Sequence, residues 1–140
     1  MKMRPLVCVF AHPDDESMGP GGTIAKNAAV RDVFLLCATF GNNKAKQKNL
    51  GKIRSQELLN SAKILGVKKV DLLGFDDGEL NNNLYHSLAE KIEAKVRKYR
   101  PDTLMTFETN GITGHLDHIA VSLATSLVFK KLSFVKTPFQ

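Results

Sequence analysis

Four short apolar runs, at residues 6–10, 33–38, 70–73 and 104–107, punctuate the chain, each bounded by turn or polar residues. Runs without polar alternation read as strands buried on both faces, as in a parallel sheet covered by helices. The segments between them carry helical periodicity. Residues 52–65 place Ile53, Leu58, Leu59, Ala62 and Leu65 near a 3.6-residue repeat, with Gly66 where a C-terminal cap belongs. Residues 84–99 place Leu84, Leu88, Ile92 and Val96 at i+4 steps, ending before Pro101. A shorter helix is expected over residues 22–30, and a fourth starts near His115 and runs through Ile119, Val121, Leu123, Leu127 and Val128. This alternation predicts an α/β fold, a Rossmann-like, open, mostly parallel sheet with helices on both faces. The usual strand order, 3-2-1-4, makes strands one and four neighbours at the switch point, where ligands bind beyond the carboxyl ends of the strands.

A chain of 140 residues, 43% of them hydrophobic, buries one core, so a single domain over residues 1–140 is expected. No apolar run approaches the roughly 18 residues that span a bilayer, and the block after Met1-Lys2-Met3-Arg4-Pro5 is too short for a signal peptide, which predicts a cytoplasmic or cytosol-facing protein. The formal charge of +6 is spread over helix faces and one lysine-rich loop, residues 44–52, without interleaved aromatics. That pattern argues against nucleic acid and mildly favours an anionic group on a small-molecule partner. Cys8 and Cys37 sit in predicted strands without a CxxC partner and are expected to be buried free thiols. The connection over residues 39–51, rich in Asn, Lys and Gly, is the expected flexible segment. Gly19-Pro20-Gly21-Gly22 precedes a helix, but Ile24 breaks GxGxxG and no GK[ST] follows, so dinucleotide binding is disfavoured.

Two polar clusters fall at the expected switch point. Ala11-His12-Pro13-Asp14-Asp15-Glu16 follows the first strand, and Gly114-His115-Leu116-Asp117-His118 follows the fourth. Each sets imidazole and carboxylate groups at i, i+3 spacing, so one turn can aim two of them at a common point. Two histidines and one carboxylate with an open position make a catalytic zinc site, whereas closed structural sites use four protein ligands and favour cysteine. The expected ligands are His12, Asp15 and His118. A water in the open position would have its pKa lowered towards about 7, with Asp14 as the general base that takes its proton. His115 is the candidate to bind or protonate the developing oxyanion and the leaving amine, and Asp117 to hydrogen-bond a histidine and fix its tautomer. These parts suit hydrolysis of an acylated amine. Each cluster also has an ordinary reading, as a His-Pro-Asp turn and as a polar helix start. Their joint placement at adjacent strand ends favours the metal site. The same ligands suit Fe2+ in non-haem oxygenases, although the spare carboxylate Asp14 points to hydrolysis.

Together with Arg54-Ser55-Gln56-Glu57, Ala62 and Leu65-Gly66, the two clusters resemble the LmbE-like family of metal-dependent deacetylases. That family includes the N-acetylglucosaminyl-phosphatidylinositol deacetylases and deacetylases of thiol-glycoside biosynthesis. The resemblance implies zinc-dependent removal of an N-acetyl group from an N-acetylglucosamine-containing substrate, an amino-sugar small molecule or a glycolipid. A membrane surface would be involved only in the glycolipid case. Carried over by position, His12, Asp15 and His118 are metal ligands, Asp14 the base and His115 the oxyanion residue. Arg54 matches a substrate contact and Asp77, in Phe75-Asp76-Asp77-Gly78, a sugar-hydroxyl acceptor. Ion pairing of Arg54 and turn chemistry at Asp76-Asp77-Gly78 are the ordinary readings of those two. Glu16 and Glu57 are expected to be structural or to support the residues of the site. Relatives continue past the last motif, whereas only residues 131–140 follow the fourth helix here. The expectation is therefore a family domain lacking its C-terminal part, with an inert metal-binding or interaction domain, or a different metal-dependent hydrolase, as the alternative function. An uncovered sheet edge would favour self-association.

Overall fold

A computed structural model describes residues 2–42 and 48–139. Strands β1 (Leu6–Phe10), β2 (Val33–Thr39), β3 (Lys69–Phe75), β4 (Thr103–Met105) and β5 (Thr137–Phe139) form one parallel sheet in the order β3-β2-β1-β4-β5. Every residue of β1 and β2 is buried, as continuous apolar runs require. Leu6 of β1 pairs with Val33 on one side and Thr103 on the other, which makes β1 and β4 neighbours.

Helices α1 (Asp15–Met18) and α2 (Gly21–Ala28) link β1 to β2, and α3 (Leu50–Leu65) links β2 to β3. The helix α4 (Tyr85–Tyr99) crosses from β3 to β4, after which α5 (Gly111–Gly114) and α6 (Leu116–Lys131) lead to β5. The chain winds outward from β1 to β3, then crosses back to β4 and winds the other way. Right-handed crossovers therefore place α2 and α3 on one face, packed together, and α4 and α6 on the other. The core is the two-sided burial of β1, β2 and β4 against Ile24, Leu58, Leu88, Ile92, Val96, Val121 and Val128.

The α/β class and the order of the first four strands follow the sequence expectation. The edge strand β5 does not: it pairs with β4 and so covers the edge expected to be bare. In α3 only Leu58 and Ala62 are buried, while Ile53 and Leu59 are 46% and 45% exposed, because the helix lies on the sheet through one narrow stripe. Of the segment expected to be flexible, Thr39 belongs to β2 and Leu50 and Gly51 to α3, and residues 43–47 lie outside the described residues. Among the described residues no helix is long and apolar enough to cross a membrane.

Both cysteines are free and buried. Burial pushes the Cys8 thiol up to about 12, and burial together with the Asp15 and Glu16 carboxylates also raises Cys37. A thiol-reactive disulfide reagent at pH about 8 should therefore label neither cysteine in the folded chain and both in denaturant. Stoichiometric labelling under native conditions would contradict this packing.

Candidate metal centre

The site forms where the chain leaves β1 and β4. Thr39 at the end of β2 ties down the first exit: its backbone N–H and its hydroxyl both donate to the Ala11 carbonyl, each at 2.9 Å. The turn then folds back on itself through Asp15, whose Oδ2 accepts the backbone N–H groups of Ala11 and His12 at 3.1 and 2.7 Å. On the other exit the Ser122 hydroxyl donates to the Phe107 carbonyl at 2.8 Å, anchoring α6 to the end of β4. Phe107 stacks on the His118 ring at 4.0 Å between centroids and sets its plane.

His12 and His118 meet across this gap, His12 Nδ1 standing 3.2 Å from His118 Nε2. Their remaining nitrogens are committed elsewhere. His12 Nε2 lies 2.8 Å from Asp117 Oδ2, and His118 Nδ1 lies 3.0 Å from the Gly111 carbonyl. A carbonyl can only accept, so His118 donates Nδ1–H to Gly111; the ionised Asp117 likewise accepts Nε2–H from His12. In the neutral rings both facing nitrogens therefore present lone pairs, an arrangement that favours a cation between them. Asp15 completes the set, with Oδ1 3.3 Å from His118 Nε2 and Oδ2 3.8 Å from His12 Nδ1. Two ligands about 2.1 Å from zinc in tetrahedral geometry stand about 3.4 Å apart, so the observed separations fit such an ion. Gly111 is required for this approach: at φ +70° it adopts a left-handed conformation, and a Cβ there would stand 3.0 Å from the His118 Cβ.

The electrostatics agree. Burial disfavours a charged His12, but the Asp117 hydrogen bond and the nearby carboxylates of Asp77 and Asp15 outweigh it and raise its pKa. Burial also raises the Asp15 carboxyl, against the pull of the His12 backbone N–H and of both imidazoles. For Asp117 burial is overcome by the His12 hydrogen bond and the backbone N–H groups of Gly78 and Leu80, at 2.7 and 3.2 Å, and its pKa is lowered.

Asp14 lies outside the donor set. Its backbone stands at φ 129°, ψ −24°, and its side chain is 56% exposed toward the cavity. Such a conformation costs an L residue about 1–3 kcal/mol and persists only where the surroundings over-determine it. Arg54 is part of that surrounding. Its guanidinium donates to the Pro13 carbonyl at 2.8 Å, the Gly41 carbonyl at 3.0 Å, Asp77 Oδ2 at 3.2 Å and Asp14 Oδ2 at 3.3 Å. Gly41 is needed here too, because a Cβ would fall 2.8 Å from the guanidinium carbon. Asp77 sits between Arg54 and His12, with Oδ1 3.1 Å from His12 Nε2. His115 caps α6, its Nδ1 accepting the Asp117 N–H at 3.1 Å. Glu57 is exposed on α3.

His12, Asp14, Asp15, Arg54, Asp77, His115 and His118 line one cavity of about 660 Å3, and Asp117 is buried behind it. The structure brings all eight expected residues to one place. Two contributors were not expected from the sequence: Asn42, which bridges Asp76 and the Asp77 backbone and so shapes the turn carrying Asp77, and the Gly111 carbonyl that holds His118. The Gly41-Asn42 pair after the second strand was the available signal for the first; nothing in the sequence marked a carbonyl.

The profile of the GlcNAc-PI de-N-acetylase (PIG-L) family matches residues 7–129. A probable N-acetylglucosaminyl-phosphatidylinositol de-N-acetylase of Schizosaccharomyces pombe is 33% identical over 127 residues, 86% of this chain and 50% of that protein. A probable N-acetyl-alpha-D-glucosaminyl L-malate deacetylase 2 of Bacillus cereus is 33% identical over 132 residues, 86% of this chain and 59% of that protein. Among solved structures, N,N'-diacetylchitobiose deacetylase from Pyrococcus horikoshii superimposes with a TM-score of 0.78 at 28% identity, covering 95% of this chain and 52% of its own. The chain thus spans between half and three-fifths of the length of these relatives.

Metal and proton compete for the same lone pairs, so binding should depend on pH. Because His12 is raised above the ordinary imidazole value of about 6.5, zinc affinity should weaken as pH falls and should begin to do so above that value. Chelator competition at pH about 6 and about 8 measures this; equal affinities would contradict the donor set. Asp117→Ala should weaken zinc binding by about 10- to 100-fold, and undiminished affinity would show that the bond to His12 does not tune the site.

Proposed function

The chain belongs to the GlcNAc-PI de-N-acetylase family, and on that premise we propose that it is a metal-dependent amide hydrolase removing the acetyl group from an N-acetylglucosamine-containing small molecule or glycolipid. The observation that carries this reading is the convergence of His12, Asp15 and His118 donor atoms beside Asp14, a carboxylate outside that set, in one cavity. Its volume falls within the range of about 300–1,000 Å3 typical of small-ligand sites.

His12, Asp15 and His118 would hold a divalent cation, zinc or alternatively Fe2+, which when bound supplies the Lewis acidity that acidifies water and polarises the amide carbonyl. Asp14 takes a proton from the attacking water. Arg54 keeps that carboxylate oriented through its own bond to it. His115 acts from the other side. With Nδ1 accepting the Asp117 N–H, His115 carries its proton on Nε2, from which it hydrogen-bonds the developing oxyanion, while the proton that Asp14 took from water passes to the departing amine nitrogen. The C–N bond breaks, the amine leaves with its added proton, and acetate remains.

Arg54 and Asp77 reach the substrate at the cavity wall. A carboxylate has about four acceptor sites. His12 and Arg54 approach Asp77 from two sides, which leaves capacity for sugar hydroxyls. The formal charge of +6 favours an anionic group beyond the sugar. We assign the activity to a single domain formed by this chain; a metal-binding domain without turnover, which the same His12, Asp15 and His118 donors would serve, is the second reading.

Amine release from a panel of N-acetylglucosaminides should be abolished by metal stripping and restored by zinc. Asp14→Asn should keep zinc and lower kcat by about 10^2- to 10^4-fold, and undiminished kcat would remove Asp14 as the base. His115→Ala should lower kcat by about 10^2- to 10^3-fold with zinc retained. Stoichiometric zinc without amine release from any glucosaminide would favour the second reading.

A further inference from the structure

Glu16 is a buried carboxylate that neither the donor set nor the proposed chemistry uses. It is 2% exposed and lies outside the donor set of His12, Asp15 and His118. Burying such a group is costly unless it is hydrogen-bonded. Its Oε2 accepts the Asp14 backbone N–H at 3.0 Å. The carbonyl of the same peptide, that of Pro13, accepts from Arg54 Nη2 at 2.8 Å. One peptide plane is thus gripped at both ends by charged side chains, and it is the plane that leads into Asp14 at φ 129°. The Asp14 carbonyl, by contrast, only receives the N–H groups of Ser17 and Met18 and the Ser17 hydroxyl, as at an ordinary helix start.

We propose that Glu16 is a positioning residue: by accepting the Asp14 N–H inside the protein it locks the Pro13–Asp14 peptide, holds Asp14 in its left-handed conformation and turns the Asp14 carboxylate into the cavity. The proposal rests on reading Asp14 as the base. It separates the roles of neighbouring acids. Asp15 caps the turn and faces His118, whereas Asp14 is turned away from the donor set and toward solvent and substrate. An acid that merely stabilised the four-residue helix α1 would alter melting temperature and leave turnover alone.

The test uses the full chain loaded with zinc, with Glu16→Met, which keeps length and removes the acceptor, and Glu16→Gln, which keeps an acceptor oxygen. Hydrogen exchange at the Asp14 amide is read by NMR beside kcat, KM and zinc stoichiometry. The wild type should protect that amide. Glu16→Met should lose the protection and about 100-fold in kcat, with KM within about threefold and zinc unchanged, and Glu16→Gln should restore both protection and kcat to within about fivefold. Wild-type kcat in Glu16→Met, or a wild-type Asp14 amide exchanging as fast as exposed chain, would overturn the proposal. If Glu16→Met does not fold, the wild-type amide and Glu16→Gln decide: a Gln variant with its amide unprotected refutes the acceptor role. A protected amide that depends on Glu16 in a chain without turnover supports the lock and overturns only the reading of the reaction.

Discussion

The hydrogen bond between His12 Nε2 and Asp117 Oδ2, 2.8 Å long, is the interaction on which the rest of the centre depends. It joins the exit of β1 to the first turn of α6. The same carboxylate accepts the backbone N–H groups of Gly78 and Leu80, so it also fixes the loop after β3. Asp117 is 1% exposed, and a buried charge of this kind is tolerated because each of its partners is a donor. By holding the proton of His12 on Nε2, it frees Nδ1 as a ligand. One buried acid thus assembles three loops and sets the chemistry of a histidine on another element.

The charges around that bond form a site short of positive charge. Asp15, Asp77 and Asp117 surround His12, whose pKa rises in response, and Asp15 itself is pushed toward its protonated form. An acid and a base that both favour extra protons at one point mark a place where a cation would relieve both. Arg54 supplies a permanent positive charge on the opposite flank, shared among Asp14, Asp77 and two backbone carbonyls. The guanidinium pairs with the outer carboxylates of Asp14 and Asp77, and the inner donors stay available to a metal.

Much of this was legible in the sequence because parallel strands buried on both faces leave unbroken apolar runs. Those runs gave the winding, and the winding made His12 and His118 neighbours across 106 residues of chain. The site residues were legible as a set because HPDDE and HLDH fall at the ends of adjacent strands. Other features left no such trace. β5 is three residues with a proline, too short for a pattern. The pieces α1 and α5 are four residues each and depend on turn geometry, including Ile112 at φ 67°, which a β-branched residue rarely adopts. Which histidine Asp117 serves is set by the rotation of α6, and the clamp on the Pro13–Asp14 peptide by a buried side chain and an arginine 40 residues away in sequence from Asp14. Spacing along the chain does not encode such angles.

The proposed reaction needs His12 to bind metal through Nδ1 while Asp117 holds its Nε2 proton. In a long-range proton–nitrogen NMR spectrum of the imidazoles, zinc should shift Nδ1 of His12 and Nε2 of His118, with His12 Nε2 remaining protonated. Zinc on His12 Nε2, or imidazole signals unmoved by saturating zinc, would contradict it.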